Sequence, residues 1–351
     1  MSEPLLQVED LRVSFAIRPD GALPWTKPDM LQAVGGVDFD VIRGETLGIV
    51  GESGSGKSTL ARALIHMAPG KGRALWMGDQ ELMGLGKAAM MKYRSEIQMV
   101  FQDPLASLNP RMTVGQIIAE PLRTHRPDLS NSEIRARVRA MMERVSLLPN
   151  QINRYPHEFS GGQCQRIGIA RALLVEPKLI ICDEPVSALD VSIQAQVINL
   201  LMELQRDMDL SLIFIAHDLS VVKHIAQRVM VLYLGKIMEI GGRDALYATP
   251  RHPYTQALIS AVPIPDPKAE REKTTIMLEG DLPSPLSPPS GCVFRTRCPR
   301  AEELCAEKAP ALEKEAAAGR TRVACHFPIE QVSADAVSDS PTAVPSVSVR
   351  S

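Results

Sequence analysis

The sequence predicts an α/β fold, and three observations support that class. A glycine-rich loop lies between a short apolar run, Thr46–Val50, and a segment with apolar residues at helical spacing. Patterns of buried strands then alternate with helical patterns as far as residue 240. The length of 351 residues allows for about two domains of roughly 150 residues each. We therefore expect a parallel sheet flanked by helices, followed by a smaller module.

The first 50 residues predict an N-terminal antiparallel β region. Residues 6 to 13 alternate apolar and polar side chains, and a second strand is expected to begin at Phe39. The proline-containing segment between them, with Pro19, Pro24 and Pro28, predicts a surface loop. Phe15, just after the first predicted strand, is an isolated aromatic, and such residues belong to the core more often than to a binding site.

The loop Gly51-Glu52-Ser53-Gly54-Ser55-Gly56-Lys57-Ser58-Thr59 matches the phosphate-binding pattern G-x-x-x-x-G-K-[ST]. Its glycines let backbone N–H groups approach phosphate oxygens closely, and Lys57 adds a positive charge. The Ser58 hydroxyl can complete the coordination of magnesium, and the following helix points its free N–H groups at the anion. Leu60, Ala63, Leu64 and Met67 give that helix an apolar face. The stretch therefore predicts a nucleoside triphosphate site.

Residues 104 to 160 predict a helical insertion in this α/β domain. A strand ending at Val100 leads into a loop that carries Gln102. One helix is expected over residues 113 to 122, and Ser130 with Glu133 forms a capping box for another. We interpret the apolar stripe of the second helix as packing; its residues are Ile134, Val138, Met141, Val145 and Leu148.

A second anion site is predicted at Ser160-Gly161-Gly162-Gln163, because a hydroxyl and two glycines begin an apolar helix there. The next strand ends in Asp183 and Glu184, at the edge where a parallel sheet binds ligands. Asp183 suits a magnesium shell. Glu184 suits a base that activates water, a role worth about 10²- to 10⁴-fold in rate. Taken alone, the pair is more typical of a solvated strand end.

The order of these motifs resembles that of the ATP-binding subunits of ABC transporters. The matching segments are the phosphate loop at 51–59, Gln102, the signature at 160–163, Asp183-Glu184, Ser187-Ala188-Leu189-Asp190 and His217. The resemblance implies a P-loop NTPase fold of the ABC type that uses ATP and magnesium. It also implies two such subunits, the signature of one closing on the γ-phosphate held by the other. That arrangement accounts for two anion sites in one chain.

The same resemblance implies roles for individual residues. Phe15 is expected to stack on adenine, and Gln102 to sense magnesium and face a membrane partner. His217 is expected to contact the γ-phosphate, and Glu184 to be the catalytic carboxylate. Phe159 stands where leucine is usual in the family and Cys164 where arginine is common, but neither change removes a catalytic group. An active ATPase is therefore expected.

Beyond residue 242 the sequence becomes proline-rich and irregular, which predicts a small accessory module at 243–328 after an ATPase domain at 5–242. Residues 329–351, rich in Ser, Ala, Val and Pro, predict a disordered tail. The string Arg251-His252-Pro253-Tyr254 and the segment 187–196 resemble the oligopeptide and dipeptide importers, most closely the second ATPase subunit of dipeptide systems.

This branch resemblance implies ATP-driven import of di- and oligopeptides. The implied partners are a related ATPase in a heterodimer, two membrane permeases and, indirectly, an external solute-binding protein. The implied location is the cytoplasmic face of the inner membrane. Nickel, glycopeptides and opine-like solutes remain alternative cargoes, because the cargo does not touch this chain.

Four of the six cysteines lie in the accessory module: Cys292, Cys298, Cys305 and Cys325. Five, six and nineteen residues separate them, which fits neither a zinc ribbon nor the common ferredoxin pattern. Spacing alone leaves a metal site and a set of reduced thiols equally open. The resemblance implies an iron–sulfur cluster of the four-iron type with a structural role. Cys164 and Cys182 are interpreted as packing residues.

Composition limits the remaining classes of function. The 39 basic residues nearly balance the 41 acidic ones, so bulk charge does not point to nucleic acid. No apolar run approaches the ~20 residues of a membrane span, and the acidic N-terminus lacks a long apolar region, so a cytosolic chain is expected. A soluble ABC ATPase acting on DNA or ribosomes usually has coiled coils or two cassettes. A P-loop kinase leaves Ser160 and His217 unexplained.

Overall fold

The computed structural model describes residues 3–18, 21, 23, 25, 27–263, 266–314 and 320–329. Pro19, Pro24 and nearly all of the predicted C-terminal tail lie outside these residues. The strands are β1 Pro4–Ile17, β2 Asp29–Ile42, β3 Thr46–Val50, β4 Gly70–Trp76, β5 Gln80–Glu81, β6 Ile97–Val100, β7 Leu179–Asp183, β8 Ser211–Ala216, β9 Arg228–Tyr233, β10 Lys236–Gly242 and β11 Arg322–Val323.

The helices are α1 Lys57–Leu64, α2 Lys87–Arg94, α3 Val114–His125, α4 Asn131–Arg144, α5 Gly161–Leu173, α6 Val191–Met208, α7 Leu219–Ile225, α8 Arg243–Ala248, α9 Pro253–Ser260, α10 Pro267–Glu272 and α11 Glu303–Glu307. Within the described part of the chain, no helix has the length and apolar character needed to cross a membrane.

The N-terminal region forms a four-stranded antiparallel sheet with the order β2-β1-β4-β5. The predicted end of the first strand and the predicted start of the second strand were both wrong. Phe15 lies within β1, paired with Leu31, and β2 begins at Asp29 instead of Phe39. The pairing of β1 with β2 contains several irregularities, and each one resets the alternation of inward and outward side chains. The sequence pattern therefore hid most of the length of both strands.

A seven-stranded sheet, β11-β10-β9-β3-β8-β7-β6, forms the centre of the molecule. Strands β6, β7, β8, β3 and β9 are parallel, whereas β10 and β11 are antiparallel additions. Every residue of β3, β7 and β8 is buried, which explains their nearly continuous apolar sequences. The carboxyl ends of these strands meet at one edge of the sheet.

The predicted helical insertion is present between β6 and α5. Capping boxes begin both long helices, Thr113 with Gln116 at α3 and Ser130 with Glu133 at α4. The packing stripe of α4 is buried except for Leu148, which lies beyond the helix end and is 61% exposed. Met67 is likewise exposed because α1 ends at Leu64. The insertion thus packs as expected, with shorter helices than the apolar pattern suggested.

The region after residue 242 is more regular than predicted. It begins with α8 and α9, and β11 joins the central sheet beside β10. His252 caps α9 through its side chain and Pro253 occupies the first helical position, where a missing N–H costs nothing. Tyr254 and Phe294 are buried against Tyr233 of β9, at ring-centroid distances of 4.8 and 5.2 Å. The hydrophobic core therefore continues from the sheet into this region.

Candidate functional site

A cleft of about 430 Å³ lies at the carboxyl edge of the parallel sheet. It is lined by Phe15, by residues of the phosphate loop, and by Gln102, Glu184 and His217. These side chains come from strands and loops far apart in sequence. Because the parallel strands end together, Gln102, Glu184 and His217 reach the same surface as the phosphate loop, and Phe15 of β1 lines that surface as well.

The phosphate loop holds a conformation that requires glycine at residue 56. Gly56 has φ +101°, and a Cβ there would lie 2.3 Å from the carbonyl oxygen of Ala33. The buried Lys57 Nζ donates hydrogen bonds to the carbonyl oxygens of Gly51 at 2.8 Å and Glu52 at 3.0 Å. Burial lowers the pKa of Lys57, while the nearby carboxylates of Glu184, Asp183 and Glu52 oppose that shift. The loop is thus closed around its own cation.

Ser58, in the phosphate loop, and Asp183, at the end of β7, are in direct contact. The Ser58 hydroxyl donates to Asp183 Oδ1 at 2.6 Å. Asp183 Oδ2 is buried with no hydrogen-bond partner in the described residues, and Arg62 Nη2 is 3.8 Å away. Burial raises the pKa of Asp183, although the Ser58 hydrogen bond acts in the opposite direction. A hydroxyl beside an unsatisfied carboxylate oxygen is the type of ligand set that magnesium accepts.

Glu184 is the point where the other polar groups of the cleft converge. Gln102 Nε2 donates to Glu184 Oε2 at 3.0 Å, and His217 Nδ1 lies 3.6 Å from the same oxygen. Lys57 Nζ lies 4.0 Å from Glu184 Oε1. The backbone of Glu184 has φ +46°, a strained value for a residue with a side chain, and its N–H donates to Ile215 O at 3.1 Å. The largely buried carboxylate is therefore held by three different segments.

The signature is built as a helix N-terminus. Ser160 caps α5 by accepting from the Gln163 N–H, and Gln163 Oε1 accepts from the Ser160 N–H at 3.0 Å. Gly161 and Gly162 face Leu189 and Ile193, next to Asp190 at the start of α6. The structure describes all of these signature residues and Asp190, and none of them lines the cleft beside the phosphate loop. The two anion sites predicted from the sequence therefore lie on different surfaces of the chain.

Sequence reasoning missed two residues that touch the phosphate loop from the C-terminal region. The Glu52 N–H donates to Tyr254 Oη at 2.9 Å, and Arg297 Nη1 lies 2.8 Å from Glu52 Oε2. Tyr254 belongs to the Arg-His-Pro-Tyr string, whose only signal in the sequence is its resemblance to the oligopeptide and dipeptide importers. Arg297 gave no signal, because 245 positions separate it from Glu52.

The four C-terminal cysteines are free thiols close enough to influence one another. Burial raises the pKa of Cys292 to about 11, and the charges of Cys305, Cys325 and Cys298 add to that effect. Among the described residues, no group of three or more His, Cys, Asp or Glu side chains is arranged to hold a metal ion. Cys182 is fully buried, which raises its pKa to about 12 and agrees with a packing role.

Comparison with known proteins identifies the family. Residues 34–187 match the family described as "ABC transporter", and residues 238–305 match the family described as "Oligopeptide/dipeptide transporter, C-terminal region". The oligopeptide transport ATP-binding protein OppF of Escherichia coli (strain K12) is 64% identical over 310 residues, covering 88% of this chain and 92% of that protein. The chain belongs to the ABC transporter family. It is an ATPase of the ABC type, in the branch of the oligopeptide transport ATP-binding proteins.

Further relatives support this ABC assignment. The oligopeptide transport ATP-binding protein AppF of Bacillus subtilis (strain 168) is 53% identical over 327 residues, covering 93% of this chain and 98% of that protein. Among solved structures, cbiO1 from Clostridium perfringens has a TM-score of 0.59 at 28% identity, covering 70% of this chain and 92% of that one. The ATP-binding cassette MJ0796, dimeric and bound to ADP and Pi, has a TM-score of 0.60 at 25% identity, covering 68% and 98%.

Proposed function

We propose that this chain is the ATP-hydrolysing subunit that powers import of di- and oligopeptides across the cytoplasmic membrane. The observation that carries the proposal is the convergence of Gln102, His217 and Lys57 on the Glu184 carboxylate beside the phosphate loop. The cargo class comes from the relatives, which are named for oligopeptide transport at up to 64% identity.

In this proposal each residue of the cleft has one task during ATP hydrolysis. Backbone N–H groups of residues 53–59 and Lys57 bind the phosphates, and Phe15 stacks on adenine. Ser58, Asp183 and Gln102 would hold magnesium, which would neutralise phosphate charge when bound. Glu184 accepts a proton from the attacking water, and His217 donates to the γ-phosphate.

The signature completes the site of a second, homologous ATPase subunit. Ser160, Gly161, Gly162 and Gln163 form an exposed helix start away from the chain's own cleft, where a phosphate bound by another subunit could meet its free N–H groups. Asp190 lies next to this surface. The dimeric state of MJ0796, a cassette of similar fold, supports the arrangement. We propose a heterodimer with a related ATPase.

A groove between the α/β domain and the helical insertion suits a permease segment. It has a volume of about 460 Å³ and is lined by Met67, Met91, Met99 and Phe101 on one side and by α3 on the other. Flexible methionine side chains adapt to an apolar partner, and Gln102 follows Phe101 directly. We propose that the assembly contains two permease subunits and that a segment of one of them docks here. They would hold the chain peripherally at the cytoplasmic face of the inner membrane and link it to an external solute-binding protein.

Transport by cells tests the cargo. Cells that lack the chain are supplied with the native protein or with Glu184→Gln, and uptake of labelled di- and oligopeptides is measured beside uptake of nickel. The proposal expects peptide uptake with the native chain only. Peptide uptake that is independent of the chain, with nickel or another solute following it instead, would assign a different cargo to the same machinery.

We also propose that the four C-terminal cysteines hold an iron–sulfur cluster with a structural role. The support is the donor set: Cys292, Cys298, Cys305 and Cys325 are four thiols within electrostatic range of one another, and four thiolates suit a four-iron cluster. Among the described residues no group of three or more His, Cys, Asp or Glu side chains is arranged to hold a metal ion, so the proposal rests on the chemistry of the four thiols. Iron and sulfide analysis of anaerobically purified protein tests the proposal, and a folded protein without iron contradicts it.

A further inference from the structure

All three polar groups of Glu52, the second residue of the phosphate loop, are held by hydrogen bonds. Its carbonyl oxygen accepts from the Lys57 ammonium at 3.0 Å and from the Ser55 N–H at 3.1 Å. Its N–H donates to Tyr254 Oη at 2.9 Å, and its carboxylate pairs with Arg297 at 2.8 Å. The loop itself therefore fixes one side of this residue, and the C-terminal region fixes the other.

The ion pair between Glu52 and Arg297 is largely shielded from water. The Arg297 side chain is 10% exposed and the Glu52 side chain 28% exposed. The guanidinium also lies over the ring of Tyr233, 6.0 Å from its centroid. Without Arg297, the Glu52 carboxylate loses its ion-pair partner and leaves additional negative charge beside the loop that receives a polyphosphate.

Tyr254 contacts the loop from a rigid position. It is fully buried in the first turn of α9, between the rings of Tyr233 and Phe294. His252 fixes the start of that helix by accepting the Tyr254 N–H at 3.0 Å. The phenol oxygen thus has little freedom, and it holds the Glu52 peptide in one orientation.

We propose that Arg297 and Tyr254 are positioning residues of the ATP site: Arg297 neutralises Glu52, and Tyr254 orients the Glu52 peptide so that the phosphate loop is ready for ATP. This inference rests on the proposed ATPase function and gives the C-terminal region a part in nucleotide affinity. The same region reaches the cleft a second time. Pro285 lines it, and Leu282 Cδ2 lies 3.5 Å from the place of a Cβ on Gly54.

The test is the affinity of the full chain for magnesium-ATP, measured by titration calorimetry at low and high salt. Arg297→Gln is expected to weaken binding about fivefold at low salt, with a smaller effect at high salt. Removing the carboxylate as well, in Glu52→Gln/Arg297→Gln, is expected to restore most of the affinity. A merely structural role for Arg297 predicts no such rescue.

Glu313→Gln is the matched control. It breaks the ion pair of Arg251 with Glu313, at 2.6 Å in the same region, without touching the phosphate loop, so native affinity is expected.

Tyr254→Phe is expected to raise the KM for ATP about threefold with little change in kcat, because only the orientation of the loop is affected.

Two results would overturn the inference: Arg297→Gln binding ATP as tightly as the native chain, or the double variant binding no better than Arg297→Gln. If Arg297→Gln does not fold, the test uses Arg297→Lys and the double variant instead. The proposal requires that both bind magnesium-ATP with an affinity within about twofold of that of the native chain. A native chain that fails to bind ATP would instead contradict the proposed function itself.

Discussion

At the scale of single residues, the buried carboxylate of Asp183 is unfavourable for stability, although the proposed magnesium site requires its charge. Its carboxylate is fully buried, and burial raises its pKa above the ordinary 3.8. A raised folded-state pKa contributes stability that is complete below pH 3.8 and is lost as the pH rises through the folded pKa. The ionised group therefore destabilises the nucleotide-free chain at neutral pH.

We expect Asp183→Asn to raise the free energy of unfolding of the nucleotide-free chain by about 1 kcal/mol at pH 7, because the buried charge is removed. The gain should disappear below pH 3.8, where the native carboxyl is already protonated. Urea unfolding at the two pH values measures it. Magnesium-dependent ATP binding should weaken in the same variant.

Asp128→Asn is the control for this prediction. Asp128 is exposed, and its hydrogen bond with Arg126 lowers its pKa, so its loss should give no gain in stability. A destabilised Asp183→Asn variant at pH 7 would mean that the contacts of Asp183 with Ser58 and Arg62 outweigh the cost of burying its charge.

The residues predicted for the ATP site are recognisable in the sequence because short motifs carry them, and the fold brings Gln102, Glu184 and His217 to one cleft. Asp183, Glu184 and His217 were each recognised at a strand end, and the order of motifs supplied their roles. Tyr254 and Arg297 could not be found this way. Their partner Glu52 is 202 and 245 positions away, and contacts at such separations depend on how the whole chain folds.

At the scale of secondary-structure elements, Glu239 on β10 joins the C-terminal region to the central sheet. Its fully buried carboxylate accepts the N–H groups of Arg251 at 3.0 Å and His252 at 2.8 Å, and the Thr321 hydroxyl at 2.5 Å. One side chain thus fixes the turn before α9 and the segment that leads into β11.

We expect Glu239→Gln to lower the free energy of unfolding by about 2 kcal/mol, because an amide NH₂ would then face buried donors. Limited proteolysis should cut first after residue 242. The control variant is Glu96→Gln. Glu96 has a partly buried carboxylate that pairs with Lys178 at 3.0 Å, near the opposite edge of the sheet. Equal stability of both variants and the native chain would show that Glu239 does not secure this region.

Elements with regular patterns were predicted and confirmed, and the exceptions have physical causes. The buried strands β3, β7 and β8 and the capped helices α3 and α4 carry local signals. Irregular pairing concealed the length of β1 and β2. The helices α8 and α9 were missed because their surroundings are rich in proline, although Pro253 only marks a helix start.

At the scale of the whole molecule, the separation of the signature from the phosphate loop predicts a site shared by two subunits. Gly161→Asp places a carboxylate at an exposed helix start, where a Cβ has ordinary contact with Leu189 at 3.6 Å. A negative charge is tolerated at a helix N-terminus but repels a phosphate there. The isolated chain should bind ATP normally, whereas the assembled transporter should lose most of its ATP hydrolysis.

Ser132→Asp provides the control for that variant, since it adds the same charge near the start of α4, another capped helix. It should leave ATP hydrolysis by the assembled transporter unchanged. Loss of ATP binding by isolated Gly161→Asp would instead place the signature at the phosphate loop of its own chain.

The most direct test of the account is ATP turnover by the assembled transporter with Glu184→Gln, measured together with ATP binding. Glu96→Gln, far from the cleft, serves as its control. Glu184→Gln is expected to bind ATP but to hydrolyse it about 10²- to 10⁴-fold more slowly, because the amide cannot accept a proton from water. Turnover close to that of the native protein would contradict the assignment of Glu184 as the general base, and with it the mechanism proposed for this site.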